Sequence, residues 1–240
     1  MDPNGKQRRR DSRRAFMKTL AAGAAGAAVL GRGSAWADSP KPAKHGAHPS
    51  PATADEAFAA LKAGNARFAA GKPQVRSTQE IEDIWTHISV GQAPFATVLG
   101  CADSRLAPEL IFDQFFGDIF VVREAGNIAE SPTNLGSLEY AQAVLGSKAI
   151  LVLGHSSCGA VKAAFDDAKP GGNIDAIVAA IRPGIAGAKT IADATTANVR
   201  AVIASIRAQS ALLKAAESAG KIKIAGAVYT ITTGVVTFLD

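Results

Sequence analysis

Two cysteines, one histidine and one aspartate stand out as the side chains that could do chemistry. Cys101 and Asp103 follow one apolar run, and His155 and Cys158 follow another. Apolar runs of this length, bounded by turn residues, predict buried strands. In an open parallel sheet ligands bind at the carboxyl ends of the strands, so the four side chains can converge there. Two thiolates, an imidazole and a carboxylate or water would form a tetrahedral zinc site, and sulfur favours zinc over magnesium or calcium.

Other interpretations of the two cysteines are open at this point. They could be a buried structural pair, or they could form one disulfide in an exported protein. Cys158 and His155 could also act as nucleophile and base. Two cysteines in 240 residues are too few for a scaffold of the small disulfide-rich type.

The elements that must position these side chains alternate between strand and helix, which indicates an α/β fold with a mostly parallel central sheet flanked by helices. Predicted strands cover 95–100, 119–123, 148–154, 222–229 and 231–239, and the last two favour a hairpin at the sheet edge. Predicted helices cover 108–112, 133–145 and 161–165, and the long run 194–219 is also helical.

An N-terminal helix is predicted to begin at a capping box formed by Thr53 and Glu56. Phe58, Leu61 and Phe68 then recur at helical spacing and require an apolar surface to pack on.

Two short motifs, CADSR at 101–105 and HSSCG at 155–159, together resemble the β-class carbonic anhydrases. The likeness extends to the N-terminal helix at 61–68, the second strand at 120–123 and the following helix at 138–141. The resemblance therefore covers nearly all of the chain from Thr53 onward, and it implies the β-carbonic anhydrase fold with late edge strands.

The resemblance implies a zinc enzyme with one Zn²⁺ per chain, held by Cys101, His155 and Cys158. It would catalyse the reversible hydration of carbon dioxide to bicarbonate and a proton, by attack of zinc-bound hydroxide. Arg105 would hold Asp103 away from zinc in the active form. In a closed state, favoured by lower pH, Asp103 would become the fourth ligand.

The family's substrate-binding positions correspond to Gln92, Phe120, Tyr140 and Gly159. An amide donor and apolar walls suit a small linear apolar substrate. The resemblance also implies a homodimer or a higher homo-oligomer, in which a neighbouring subunit completes each pocket.

One departure concerns an inhibitory bicarbonate site that some family members have. Those members carry a tryptophan three positions before the first cysteine, together with an arginine in the second strand. Here Arg123 is present, but Val98 occupies the tryptophan position. We therefore expect that this inhibitory site is not formed and that Arg123 has a structural role.

Two further functions remain as alternatives. The same fold could hydrolyse carbon disulfide or carbonyl sulfide, which similar proteins do when access to the pocket is narrowed. The chain could also be a zinc-binding or redox protein without catalytic activity.

The N-terminus is predicted to be a cleavable export signal over residues 1–37. A twin-arginine motif at 12–18 precedes a short apolar stretch at 19–31 and an A-x-A cleavage site at 35–37. We expect the twin-arginine translocase to export the folded protein to the periplasm or the exterior. The Pro- and Lys-containing segment 38–52 is then a flexible linker.

The remaining residues, 53–240, form the predicted catalytic domain. The whole chain has a formal charge of +5, from 26 basic and 21 acidic side chains. Eight of the basic and two of the acidic side chains lie in the predicted signal, so the rest of the chain carries about −1. The charge therefore indicates no nucleic-acid partner, and no apolar run reaches the ~20 residues of a membrane span.

Overall fold

A computed structural model describes residues 50–89 and 91–239 of the chain. The predicted signal at 1–37 and most of the predicted linker at 38–52 lie outside these residues. No helix in the described ranges is long and apolar enough to cross a membrane.

A five-stranded sheet forms the centre of the fold, in the order β2-β1-β3-β4-β5. Strands β1 to β4 run parallel, and β5 pairs antiparallel with β4. The predicted parallel sheet and the edge hairpin are both confirmed. The strands are β1 (Ala96–Gly100), β2 (Ile119–Arg123), β3 (Ala149–His155), β4 (Lys223–Thr230) and β5 (Val235–Phe238).

Helices flank the sheet on both faces. They are α1 (Ala54–Ala69), α2 (Thr78–Ile88), α3 (Pro108–Ile111), α4 (Pro132–Ala143), α5 (Gly159–Phe165), α6 (Ile174–Ile181), α7 (Ile191–Gln209) and α8 (Ala211–Ser218), with short 3₁₀ turns at Ala125–Asn127 and Arg182–Ile185.

The central strands are mostly apolar because both of their faces are covered. Every residue of β1 and β3 is buried. Successive side chains enter opposite cores: Val98 and Leu151 pack in one, and Leu99 and Val152 in the other. This two-sided burial explains why continuous apolar runs, rather than alternating ones, mark these strands.

The predicted capping box of α1 is present. The Thr53 hydroxyl accepts from the Glu56 amide, and the Glu56 carboxylate accepts from the Thr53 amide, both at 3.2 Å. Phe58 and Leu61 are buried as predicted, and Phe68 is half-buried.

The helical run 194–219 is divided at Ser210. This residue is extended, and its hydroxyl accepts from the Leu213 amide, so it ends α7 and caps α8. Helices α2 and α6 were not predicted. A second capping box, formed by Ser77 and Glu80, begins α2 and was available as a signal in the sequence.

Candidate active site

The carboxyl ends of β1 and β3 bring three potential metal ligands together. The two strands are neighbours in register, so Cys101, directly after β1, lies near His155 at the end of β3. Cys158 joins them at the start of α5. All three side chains are buried, and their ligand atoms lie within 4.8 Å of one another. The predicted convergence is therefore present.

The imidazole of His155 is arranged as a metal ligand would be. Its Nδ1 lies 2.9 Å from the Ser156 carbonyl oxygen and donates to it, which leaves Nε2 as the free acceptor. In the described part of the chain Nε2 is buried without a hydrogen-bond partner. A buried polar atom normally has a partner, so this nitrogen and the two sulfurs fit a zinc ion as their common partner.

The two thiols are free cysteines and influence each other. Cys158 lowers the pKa of the Cys101 thiol to about 4, helped by His155 and by the Gly126 amide, which donates to Cys101 Sγ at 3.3 Å. The resulting thiolate in turn raises the pKa of the Cys158 thiol. Thiolates are the form in which cysteine binds metal.

Asp103 and Arg105 form a two-point ion pair beside this cluster. Arg105 Nε donates to Asp103 Oδ1 at 2.8 Å, and its Nη2 donates to Oδ2 at 2.6 Å. Asp103 Oδ2 also lies 3.9 Å from His155 Nε2. The guanidinium of Arg105 holds the pKa of Asp103 well below its usual range, so the carboxylate is ionised at neutral pH.

Arg123 supports the loop that carries these groups. Its guanidinium donates to the carbonyl oxygen of Cys101 at 3.0 Å and to that of Asp103 at 2.6 Å. Both bonds fix the backbone of the loop after β1, which is a structural role of the kind we expected for Arg123. Val98, at the tryptophan position of the inhibited members, is fully buried.

Two of the four predicted substrate-binding residues are in contact. The rings of Phe120 and Tyr140 have centroids 6.4 Å apart, and 38% of Tyr140 is exposed. Gly159 directly follows Cys158, and a Cβ there would meet no atom within 4 Å, so it borders open space. Gln92 lies exposed in the segment without regular secondary structure that leads into β1.

The family model that describes carbonic anhydrases matches residues 96–236, a range that includes all three candidate ligands. The chain belongs to the carbonic anhydrase family. The predicted enzyme class is thereby confirmed: the protein is a zinc enzyme that hydrates carbon dioxide.

Individual relatives agree with this assignment. Carbonic anhydrase 2 of Mycobacterium tuberculosis is 40% identical over 187 residues, which are 74% of this chain and 89% of the relative. The carbonic anhydrase of Mycolicibacterium smegmatis is 41% identical over the same length and with the same coverage.

Solved β-carbonic anhydrases share the fold. The Coccomyxa enzyme, in complex with acetazolamide, is 30% identical with a TM-score of 0.58, covering 65% of this chain and 76% of that one. A tetrameric enzyme from Sordaria macrospora has a TM-score of 0.62 at 24% identity, covering 76% and 96%.

Sequence reasoning did not identify Gly126 as part of the site. It lies 25 positions after Cys101, and the only signal was a glycine soon after a predicted strand.

Proposed function

We propose that this carbonic anhydrase is an exported enzyme in which Cys101, His155 and Cys158 hold zinc and Asp103 orients the reacting hydroxyl group. The observation that carries the proposal is the buried, unpartnered Nε2 of His155, which lies near two thiols and 3.9 Å from an ionised carboxylate. Zinc, when bound there, lowers the pKa of a water molecule toward about 7 and so supplies hydroxide for attack on carbon dioxide.

Asp103 has enough hydrogen-bond acceptor positions to pair with Arg105 and also to orient the reacting hydroxyl group. A carboxylate offers about four lone-pair positions. Arg105 occupies three of them, two on Oδ1 from its amide and Nε and one on Oδ2 from Nη2. One position on Oδ2 remains to accept a hydrogen from the nucleophile and aim its lone pair at the substrate.

The same ion pair explains how the site would open and close. While Arg105 holds both oxygens, Asp103 stays out of the ligand cluster. If the pair breaks, the carboxylate is released next to the cluster and can act as a fourth ligand. We propose that lower pH favours this closed form, because less hydroxide would then compete with the Asp103 carboxylate for zinc.

The substrate pocket is proposed to include Phe120, Tyr140, Gln92 and Gly159. The paired rings of Phe120 and Tyr140 supply an apolar wall. Gly159 leaves open space beside the cluster. Gln92 would supply an amide donor to one oxygen of the substrate.

A second copy of the chain is proposed to complete this pocket. Tyr140 is partly exposed although its proposed role needs an enclosed, apolar surrounding. The related enzyme of Sordaria macrospora is tetrameric. Size-exclusion chromatography with light scattering should give a dimer or larger assembly, and a fully active monomer at micromolar concentration would contradict the proposal.

Export by the twin-arginine translocase is proposed from residues 12–18. Periplasmic and cytoplasmic fractions would be compared for the unaltered chain and for the double variant Arg13→Lys, Arg14→Lys. We expect the variant to stay in the cytoplasm. The double variant Arg8→Lys, Arg9→Lys lies outside the motif and is the matched control. Equal export of all three proteins would contradict the proposal.

Zinc quantification with thiol titration tests the proposed ligand set directly. One zinc per chain, lost in both Cys101→Ser and Cys158→Ser, is the expected result. A zinc-free protein with an oxidised cysteine pair would instead indicate a redox protein. Turnover of carbon disulfide measured beside that of carbon dioxide would reveal a hydrolase of sulfur analogues, and we expect carbon dioxide to be the faster substrate.

A further inference from the structure

A tight turn after β2 supplies a hydrogen bond to one of the zinc-binding sulfurs. The backbone amide of Gly126 donates to Cys101 Sγ at 3.3 Å in the buried interior. The turn has an unusual backbone, since Gly126 has a φ of 74° and Asn127 a φ of 49°. Glycine adopts a positive φ freely, but at Asn127 the left-handed conformation needs support from the surrounding structure.

One support is the packing of neighbouring helices against Gly126. A Cβ at this position would lie 2.5 Å from Ile181 Cδ1 and 3.3 Å from the Ala160 Cβ. Residues of α5 and α6 therefore pack closely against the turn, and this close packing and the positive φ together favour glycine.

The second support comes from α7, far away in the sequence. Asn198 is 2% exposed, and its Nδ2 donates to the Gly126 carbonyl oxygen at 2.9 Å. This bond fixes the peptide group between Gly126 and Asn127. The N–H that donates to Cys101 belongs to the preceding peptide group, between Ala125 and Gly126. The side chain of Asn198 thus holds the turn that carries the Gly126 amide.

We propose that Asn198 is a positioning residue for zinc binding, acting on Cys101 through the Gly126 turn. An N–H group that donates to a thiolate stabilises its charge and fixes its direction, and groups of this kind commonly change metal affinity 10- to 100-fold when they are lost. The inference rests on the proposed role of Cys101 as a zinc ligand.

The test compares Asn198→Ala with a matched control, Asn65→Ala. Asn65 is also a buried amide, 5% exposed, and donates to two main-chain oxygens, those of Ile111 at 3.0 Å and Gly234 at 2.9 Å. Both substitutions remove a buried donor, so both should destabilise the fold, but only the first should affect the metal.

Zinc dissociation constants would be measured on the full chain by competition with a chelator. We expect Asn198→Ala to raise the zinc Kd about 10- to 100-fold. Asn65→Ala should stay within about threefold of the unaltered protein. Hydrogen exchange of the Gly126 amide should be faster in Asn198→Ala and unchanged in Asn65→Ala.

Cobalt provides a spectroscopic readout that a general loss of stability would not move. In the Co²⁺-substituted protein, a weaker hydrogen bond from the Gly126 amide to Cys101 Sγ should shift the sulfur-to-cobalt charge-transfer band of Asn198→Ala to longer wavelength. If Asn198→Ala does not fold, Asn198→Leu keeps about the size of the side chain and removes the donor without burying a charge, and the same measurements apply.

A zinc Kd, a cobalt spectrum and a Gly126 exchange rate in Asn198→Ala that all equal those of the unaltered protein would overturn the inference. Failure of the proposed function has a different signature, because the unaltered chain would then bind no zinc.

Discussion

Arg105 donates hydrogen bonds to both carboxylate oxygens of Asp103, to Oδ1 at 2.8 Å and to Oδ2 at 2.6 Å. Asp103 Oδ2 lies 3.9 Å from His155 Nε2, the nitrogen that we propose binds zinc. Arg105 also donates to the Ser157 carbonyl oxygen at 3.3 Å, so it links the two loops that carry the candidate ligands. A partly exposed arginine therefore fixes the position of a carboxylate at the edge of a buried site.

The first prediction concerns this ion pair. Arg105→Gln removes the guanidinium, so the pKa of Asp103 should rise toward its usual range and the carboxylate should be free to enter the ligand cluster. We expect kcat/KM for carbon dioxide hydration to fall about 10- to 100-fold with zinc content unchanged. Stopped-flow kinetics and metal analysis measure both quantities.

Arg207→Gln is the matched control for that variant. Arg207 forms a similar two-point pair with Glu217, at 2.7 and 2.8 Å, but it lies at the amino end of β4, the end opposite the site. Activity per folded chain should be unchanged in Arg207→Gln. An equal loss in both variants would contradict a specific role for Arg105.

The second prediction concerns the aromatic wall. Tyr140→Ala removes the ring that contacts Phe120, and we expect kcat/KM to fall about tenfold, which corresponds to about 1.4 kcal/mol. Zinc content should not change, because Tyr140 is not a proposed ligand. Phe116→Ala removes another exposed ring, 59% exposed, and should leave the kinetics unaltered. Unchanged kinetics in Tyr140→Ala would remove this residue from the proposed pocket.

The third prediction concerns the close approach of α1 to the residue after α3. A Cβ at Gly64 would lie 1.7 Å from the Phe112 carbonyl oxygen, so Gly64→Ala must displace backbone. We expect the free energy of unfolding to fall by about 3 kcal/mol or more. A Cβ at Gly136 in α4 would meet no atom within 4 Å. Gly136→Ala should therefore stabilise the protein by ~0.5 to 1 kcal/mol. Urea unfolding of the two variants should therefore shift in opposite directions.

The fourth prediction concerns the pH dependence of stability. Arg207 lowers the pKa of Glu217 in the folded protein, so their ion pair stabilises the fold above the usual glutamate pKa of about 4.3 and loses its effect as pH falls through the lowered value. Glu217→Gln should be less stable than the unaltered protein by about 1 kcal/mol at pH 7. The difference should shrink below about pH 4.

Urea unfolding at a series of pH values measures this difference, and effects common to both proteins cancel. Glu82→Gln, at an exposed position of α2, serves as the control and should show little difference at any pH. A difference between Glu217→Gln and the unaltered protein that stays constant down to pH 3 would contradict the account.

Much of the fold could be predicted because its signals are local. The runs that became β1 and β3 are mostly apolar, and reactive side chains, Cys101 and His155, stand where the runs end. The capping box at Thr53 located the start of α1. The equivalent box at Ser77 carried the same information for α2, and apolar residues follow it at i, i+3, i+4 and i+7, at Ile81, Ile84, Trp85 and Ile88. Helix α2 was therefore predictable from local signals as well.

The parts that could not be predicted depend on contacts between distant residues. Asn198 reaches Gly126 across 72 positions, and an asparagine inside a helix gives no local sign of this bond. The contact between Phe120 and Tyr140 likewise depends on how α4 packs against β2. In these cases the tertiary structure, rather than local propensity, determines which groups meet.

Stopped-flow hydration of carbon dioxide by the zinc-loaded chain above pH 8, with Cys158→Ser measured beside it, is the sharpest test of carbon dioxide hydration at the proposed zinc site. We expect hydration well above the uncatalysed rate by the unaltered protein, and a loss of at least a hundredfold in the variant, which lacks one of the proposed zinc-binding thiolates. No hydration by the zinc-loaded protein above pH 8, or equal rates for both proteins, would contradict it.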